Sequence, residues 1–326
     1  MKKIAVLFPG QGSQYAGMYR NLIKREPNIS SVMERASEVL KFDLVDMVEN
    51  GSMKTMTMSE NAQPAVVAAS YAMYQLFVQE LGVLPDYMAG HSLGELSALV
   101  CAGSISFEDG ITFARARGKL MQQALEDNRG FAGIITDLGV QKVFRAIRKT
   151  TSKGYVAITG YNSPDQLMVG GSREAARYLD DEVENMGGQF IPFRMIPMKA
   201  DAPYHSKLMD YLMPAFRELV VCMTFRKPQV PIWSTVTGRS IQHVREIPGV
   251  LISQLVAPVR WSQALHRIMD RGAEMFVDIG PGEIVSNLVR EDDRLPPALA
   301  FDSEFGRREI AGALADPKWR AYSKMA

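Results

Sequence analysis

The chain has 326 residues, 37 of them basic and 36 acidic, for a net charge of +1, a balance that does not suggest a nucleic-acid binder. Apolar residues make up 47% and charged residues 22%, an ordinary globular proportion, and no apolar run approaches the ~20 residues of a membrane span. Two cysteines, Cys101 and Cys222, with no CxxC pair argue against a disulfide framework and for a reducing cytoplasm.

In chain order, the continuous apolar run Ile4–Phe8 predicts a strand buried on both faces, and reads as that rather than as a secretory leader because Pro9-Gly10 closes it at once. A tight polar loop follows through Gln14. Helices are expected nearby, over Ser30–Leu40, and over Ser59–Leu81, the last with an apolar face through Val67, Tyr71, Tyr74 and Phe77. The methionine-rich stretch Met53–Met58 reads as an exposed loop or a loose helix cap. Tyr87–Ala89 is a short strand, Ser92 a turn, and Leu93 opens a helix; another covers Phe107–Leu125. From Phe131 the pattern becomes strand (Phe131–Thr136), helix (Val140–Thr150), strand (Tyr155–Thr159), strand (Gln166–Val169), helix (Ser172–Met186), strand (Gln189–Met195). That β-α-β-β-α-β order is the order of a ferredoxin-like unit, and it predicts a small domain inserted at 129–197. Beyond it come a helix at His205–Val221, a strand at Val230–Ser234, a helix at Pro258–Arg271 and a strand at Met275–Ile279, then a less patterned tail over 297–326.

Gly90-His91-Ser92-Leu93-Gly94 places a serine between two glycines at a strand-to-helix boundary. Two readings fit: a nucleophile elbow, or a serine N-cap in a glycine-rich turn. The strand before it and the amphipathic helix after it favour the elbow. A serine nucleophile needs a base, and there are four histidines. His91 neighbours the serine and is expected to point away, His266 reads as a surface position, and His243 lies in a polar loop. His205, at a loop-to-helix boundary, remains. No acid between Ser92 and His205 has the strand-end context of a triad carboxylate, so a Ser–His dyad with a neutral orienting group is expected. Arg115 and Arg117 lie two apart on one helix, so one can point inward while the other stays in water.

Phe8-Pro9-Gly10-Gln11-Gly12-Ser13-Gln14, Gln63-Pro64-Ala65, Gly90-His91-Ser92-Leu93-Gly94-Glu95, Arg117-Gly118, Asn162-Ser163-Pro164, His205-Ser206, Pro258-Val259-Arg260-Trp261 and Gly280-Pro281-Gly282 occur in this order. Together, over about residues 4–290, they resemble the malonyl-CoA:acyl carrier protein transacylases, a family that includes bacterial fatty-acid-synthesis enzymes and acyltransferase domains of polyketide synthases. The resemblance implies an α/β-hydrolase-like large domain (1–128 and 198–296) carrying the ferredoxin-like insertion. It implies ping-pong transfer of malonyl from malonyl-CoA to an acyl carrier protein, with Ser92 acylated and His205 as general base. The backbone N–H groups of Gln11 and Leu93 would form the oxyanion hole, and the Gln254 backbone carbonyl would hold the histidine ring. Arg117 would pair with the malonyl carboxylate, and Gln63 and Asn162 would line the site.

No metal or bound cofactor is expected, and the chain is expected to act as a monomer. Tyr204 and Phe131 depart from common family residues and are expected to narrow or reshape the acyl pocket; Leu93 and Tyr204, both large, predict malonyl over methylmalonyl. Lys199, Arg226 and Lys227 are candidates for docking an acidic carrier protein. The alternatives are a hydrolase of the same fold that clears acyl chains from carrier proteins, disfavoured by the presence of Arg117, and a non-catalytic docking subunit, disfavoured by an intact Ser92 and His205.

Overall fold

The structure, a computed structural model, describes residues 3–196 and 200–315. Its strands are β1 (Lys3–Phe8), β2 (Tyr87–Gly90), β3 (Phe131–Thr136), β4 (Val156–Tyr161), β5 (Gln166–Gly171), β6 (Gln189–Pro192), β7 (Ile232–Ser234), β8 (Arg239–Ser240), β9 (Ala273–Asp278) and β10 (Ala298–Ala300). They form two sheets, one ordered β10-β9-β1-β2-β7-β8 and the other β4-β5-β3-β6. The first is parallel except for the β7–β8 hairpin. The second is antiparallel throughout, in the ferredoxin-like order.

β1 sits between β2 and β9, and Ala5 through Phe8 are fully buried, which is what an apolar run without alternation demands. The helix Ser59–Leu81 has most of its residues buried and meets this sheet where Tyr74 lies edge-on to Phe8. Pro64 lies inside it and cannot donate to the Glu60 carbonyl four residues earlier. Arg115 supplies the missing donor, its Nη1 lying 2.8 Å from that oxygen. No helix among the described residues is long and apolar enough to cross a membrane.

The elements differ from expectation in four places. Residues 297–315 do not form a tail: β10 pairs in parallel with β9, and the helix Glu304–Ala315 follows it. Phe301, fully buried, meets Phe77 edge-on at 5.5 Å. The strand from Gln189 stops at Pro192 and gives way to a 3-10 turn, since proline lacks the ladder N–H. No helix starts at His205, whose φ of 60° is left-handed; a 3-10 segment Lys207–Leu212 precedes the α-helix Met213–Val221. Met53–Thr57 is a one-turn helix capped by Ser52, and its Met56 is fully buried in the core.

The two sheets are stitched together. Val259, just before the helix Trp261–Asp270, donates to the Thr159 carbonyl at 2.9 Å and accepts from the Tyr161 N–H at 2.8 Å. Asp201, on the loop that leads to His205, accepts from the Ala132 N–H at 3.0 Å and pairs with Arg173 at 2.6 Å.

Candidate active site

Ser92 follows β2 with φ 52°, a left-handed conformation that leaves the helix Gly94–Cys101 to start immediately behind it. Both glycines of the turn are sterically required. A Cβ on Gly90 would collide with the Gly94 backbone, and one on Gly94 would collide with the Phe8 backbone. Ser92 Oγ lies 2.8 Å from His205 Nε2, and His205 Nδ1 lies 2.8 Å from the Gln254 carbonyl oxygen. A carbonyl only accepts, so Nδ1 carries the proton and the Nε2 lone pair faces the serine hydroxyl. Burial, with the positive charge of Arg117 behind it, pushes the His205 pKa down to about 3, partly offset by the bond to Gln254. The resting ring is therefore neutral.

Arg117 is 6% exposed and points into the same cavity, while Arg115 turns outward to Glu60 and lies over the Phe42 ring. Nη1 of Arg117 donates to Gln63 Oε1 at 2.7 Å and Nη2 to Gln254 Oε1 at 3.1 Å. Among the described residues it has no carboxylate partner. Burial lowers its pKa to about 10, still far above neutrality. The chain of bonds continues from Gln63 Nε2 to Gln11 Oε1 at 3.0 Å and from Gln11 Nε2 to Ser59 Oγ at 2.9 Å. Neither the Gln11 nor the Leu93 N–H has a hydrogen-bond acceptor among the described residues.

The cavity, about 100 Å³, lies between the two sheets. The small domain contributes Thr159, Met168 and Phe193 to its wall; Met121, Phe216 and Leu255 make an apolar side. Gln11, Gln63, Ser92, Arg117, Tyr204, His205 and Gln254 all line it.

Other expected positions lie elsewhere. Asn162 does not line the cavity; it stands behind His91, accepting from its Nε2 at 2.9 Å and donating to Gln166. His91 itself is on the cavity wall, its ring edge-on to Trp261. The Leu93 side chain is buried in the large-domain core and does not bound the pocket, so it contributes nothing to discrimination against an α-methyl group. Phe131 belongs to the small-domain core for the same reason, leaving its neighbour Ala132 on the wall. Tyr204 does line the cavity, its hydroxyl tied to the Met121 carbonyl at 3.1 Å. His266 is half-buried against Asp292 rather than free on the surface. Lys199 lies outside the described residues. Arg226 bonds through its backbone to Ser104, past the far end of the helix whose N-terminus carries Ser92. About 12 Å of helix separates it, and Lys227 after it, from the serine, so neither borders the cleft.

Two site features were not read from the sequence. The Gln254 side chain bonds both Arg117 and the Ser92 carbonyl. Glu95, fully buried behind the elbow, accepts from the Thr235 N–H and hydroxyl, and burial raises its pKa to about 7. Glu95 was visible as part of the motif, but nothing in a lone glutamate tells that it is buried.

Residues 6–295 match the acyl transferase domain family, so this fold and cavity are those of an acyl-transferring enzyme. The malonyl CoA-acyl carrier protein transacylase of Bacillus subtilis (strain 168) is 33% identical over 301 residues, covering 92% of this chain and 93% of that protein. The one from Escherichia coli (strain K12) is 32% identical over 293 residues, covering 89% and 93%. The chain belongs to the malonyl CoA-acyl carrier protein transacylase family. Among solved structures, FabD from Acinetobacter baumannii superposes with a TM-score of 0.89 at 30% identity, over 96% of this chain and 98% of that one. A malonyl-transacylase in complex with its type II polyketide-synthase acyl-carrier protein gives 0.88 at 32% identity, over 93% and 97%.

Proposed function

We propose that this enzyme moves a malonyl group from malonyl-CoA to the phosphopantetheine thiol of an acyl carrier protein through an ester on Ser92. The observation that carries the reading is a serine–histidine pair at 2.8 Å sharing one buried cavity with an arginine whose bonded partners are both neutral amides. In the first half-reaction Ser92 Oγ attacks the thioester carbonyl while His205 Nε2 takes its proton. The oxyanion that forms is met by the Gln11 and Leu93 N–H groups. The C–S bond then breaks, and the imidazolium protonates the leaving coenzyme A thiolate. In the second, the carrier thiol gives its proton to His205 and attacks the Ser92 ester; the C–O bond breaks and Ser92 recovers a proton.

Arg117 seats the malonyl carboxylate, which a planar guanidinium grips with two parallel hydrogen bonds. These steps use side chains and backbone groups alone and call for no metal or resident cofactor. The chain carries only two cysteines and both are free, which supports a reducing cytoplasm. The hydrolase alternative draws no support from a site with a buried, unneutralised arginine.

Mass analysis of peptides after exposure to malonyl-CoA tests the reading. Malonyl is expected on Ser92 and on no other residue, and Ser92→Ala is expected to stay unlabelled. Label on another residue that persists in the variant overturns the assignment.

A further inference from the structure

Gln254 ends the helix Ile247–Gln254 and is 3% exposed. Its backbone carbonyl orients His205, but its side chain makes two further bonds. Nε2 donates to the Ser92 carbonyl oxygen at 2.9 Å, and Oε1 accepts from Arg117 Nη2 at 3.1 Å. Only a side chain that both donates and accepts can do this without adding charge.

The Ser92 carbonyl and the Leu93 N–H are two ends of one peptide group. That group is planar, so fixing the oxygen fixes the direction of the N–H. Ser92 O also accepts from the Glu95 N–H at 3.1 Å, but that bond belongs to the turn itself. The Gln254 amide is the external restraint on a peptide that follows a left-handed residue. On the opposite side, Arg117 holds Gln63, which holds the Gln11 side chain. Both N–H groups that face the reacting oxygen in the proposed mechanism are thus connected to one guanidinium.

We propose that the Gln254 side chain is a positioning residue that aims the Leu93 N–H and couples it to the carboxylate seat at Arg117. The proposal rests on the reading of Ser92 as the acylated residue and Arg117 as that seat. It predicts that a seated carboxylate and a well-aimed oxyanion donor go together, so that the enzyme's preference for malonyl over acetyl depends on residue 254 as well as on residue 117.

The test compares Gln254→Ala, Gln254→Glu and Arg117→Ala in the full chain, with kcat and KM for malonyl-CoA and acetyl-CoA. The pH dependence of Ser92 modification by phenylmethylsulfonyl fluoride is followed in parallel. Gln254→Ala keeps the backbone carbonyl, so the pH dependence of labelling is expected to match the unmutated enzyme. Its kcat is expected to fall roughly 10–100-fold, up to the scale of removing one oxyanion donor, with the malonyl-to-acetyl ratio of kcat/KM falling too. Gln254→Glu, nearly isosteric and so a check on folding, places a carboxylate beside Arg117; its KM for malonyl-CoA is expected to rise more than its KM for acetyl-CoA. If Arg117→Ala collapses the ratio while Gln254→Ala and Gln254→Glu leave it intact, the proposal is overturned and the Arg117 reading stands. If Arg117→Ala leaves the ratio unchanged, the carboxylate seat itself is wrong and the coupling falls with it. A shifted pH profile in Gln254→Ala overturns the proposal by showing that the variant acts through His205.

Discussion

Arg117 acts on its neighbours as well as on the carboxylate proposed for it. Its charge is the second cause, after burial, of the low pKa of His205. A carboxylate seated on the guanidinium, as proposed, would balance that charge and leave His205 a stronger base, so that a charged acyl group would favour its own acylation. Arg117→Ala is expected to cost malonyl transfer about 2–5 kcal/mol in kcat/KM, the scale for truncating one member of a buried charge pair. Acetyl transfer is expected to hold or rise, because His205 loses a depressing charge and no carboxylate is stranded. An equal fall for both substrates defeats the argument. Glu95 gives a second residue-level test. Its native pKa of about 7 exceeds the ordinary 4.5, so between those values the native chain keeps a proton that the unfolded chain releases. Its contribution to stability is present below pH 4.5 and is lost as pH rises to 7. His205 works in the opposite sense, costing stability as pH falls from 6.5 to about 3. Glu95→Gln mimics the protonated form and is expected to shrink the stability lost between pH 5 and 8 by on the order of 2 kcal/mol. Part of the loss should remain, since Asp278, raised to about 8, contributes to it. Chemical denaturation at both pH values measures this, and an unchanged difference rejects it. Ser92 and His205 were legible because their chemistry is rare and their settings distinctive. Glu95 and the Gln254 amide were not, because burial and a partner's direction are properties of the assembled fold.

At the level of elements, the sequence was most readable where one periodicity ran unbroken. Ser59–Leu81 and Phe131–Thr136 have the bounds their patterns predict. Readings failed where one residue's backbone overrode the pattern: Pro192 ends a strand, and left-handed His205 delays a helix. The third failure was the tail. Ala298–Ala300 is a three-residue strand, too short to announce itself, and its stability comes from β9 and from Phe301 against Phe77. Removing residues 297–326 is therefore expected to cost at least about 3 kcal/mol, the scale of deleting one buried phenylalanine, and to leave an unpaired edge on β9 that favours aggregation. Denaturant unfolding of the shortened chain checks this; stability equal to that of the full chain contradicts it.

At the scale of the molecule, the order of strands revealed an insertion, but nothing local revealed the seam. Val259 meets β4 across about a hundred positions of sequence, and Asp201 reaches back to Ala132 and Arg173. Those contacts place Thr159, Met168 and Phe193 over a serine held by the other sheet, so the cavity belongs to neither domain alone. The position of β1 has a consequence for synthesis. It is made before every other strand described, yet it sits between β2 and β9, and β9 begins only at Ala273. The central sheet cannot close until most of the chain has left the ribosome, whereas every pairing of the second sheet falls between Phe131 and Pro192. Contacts that close short loops form sooner than those that close long ones. In chains halted after Pro192 but before Ala273, the segment 131–192 is expected to resist protease while residues 1–128 are cut. During that interval the apolar run of β1 has no partner on one side, and a chaperone that covers it should raise the yield of active enzyme. Equal protection of both segments in the halted chains counts against this order.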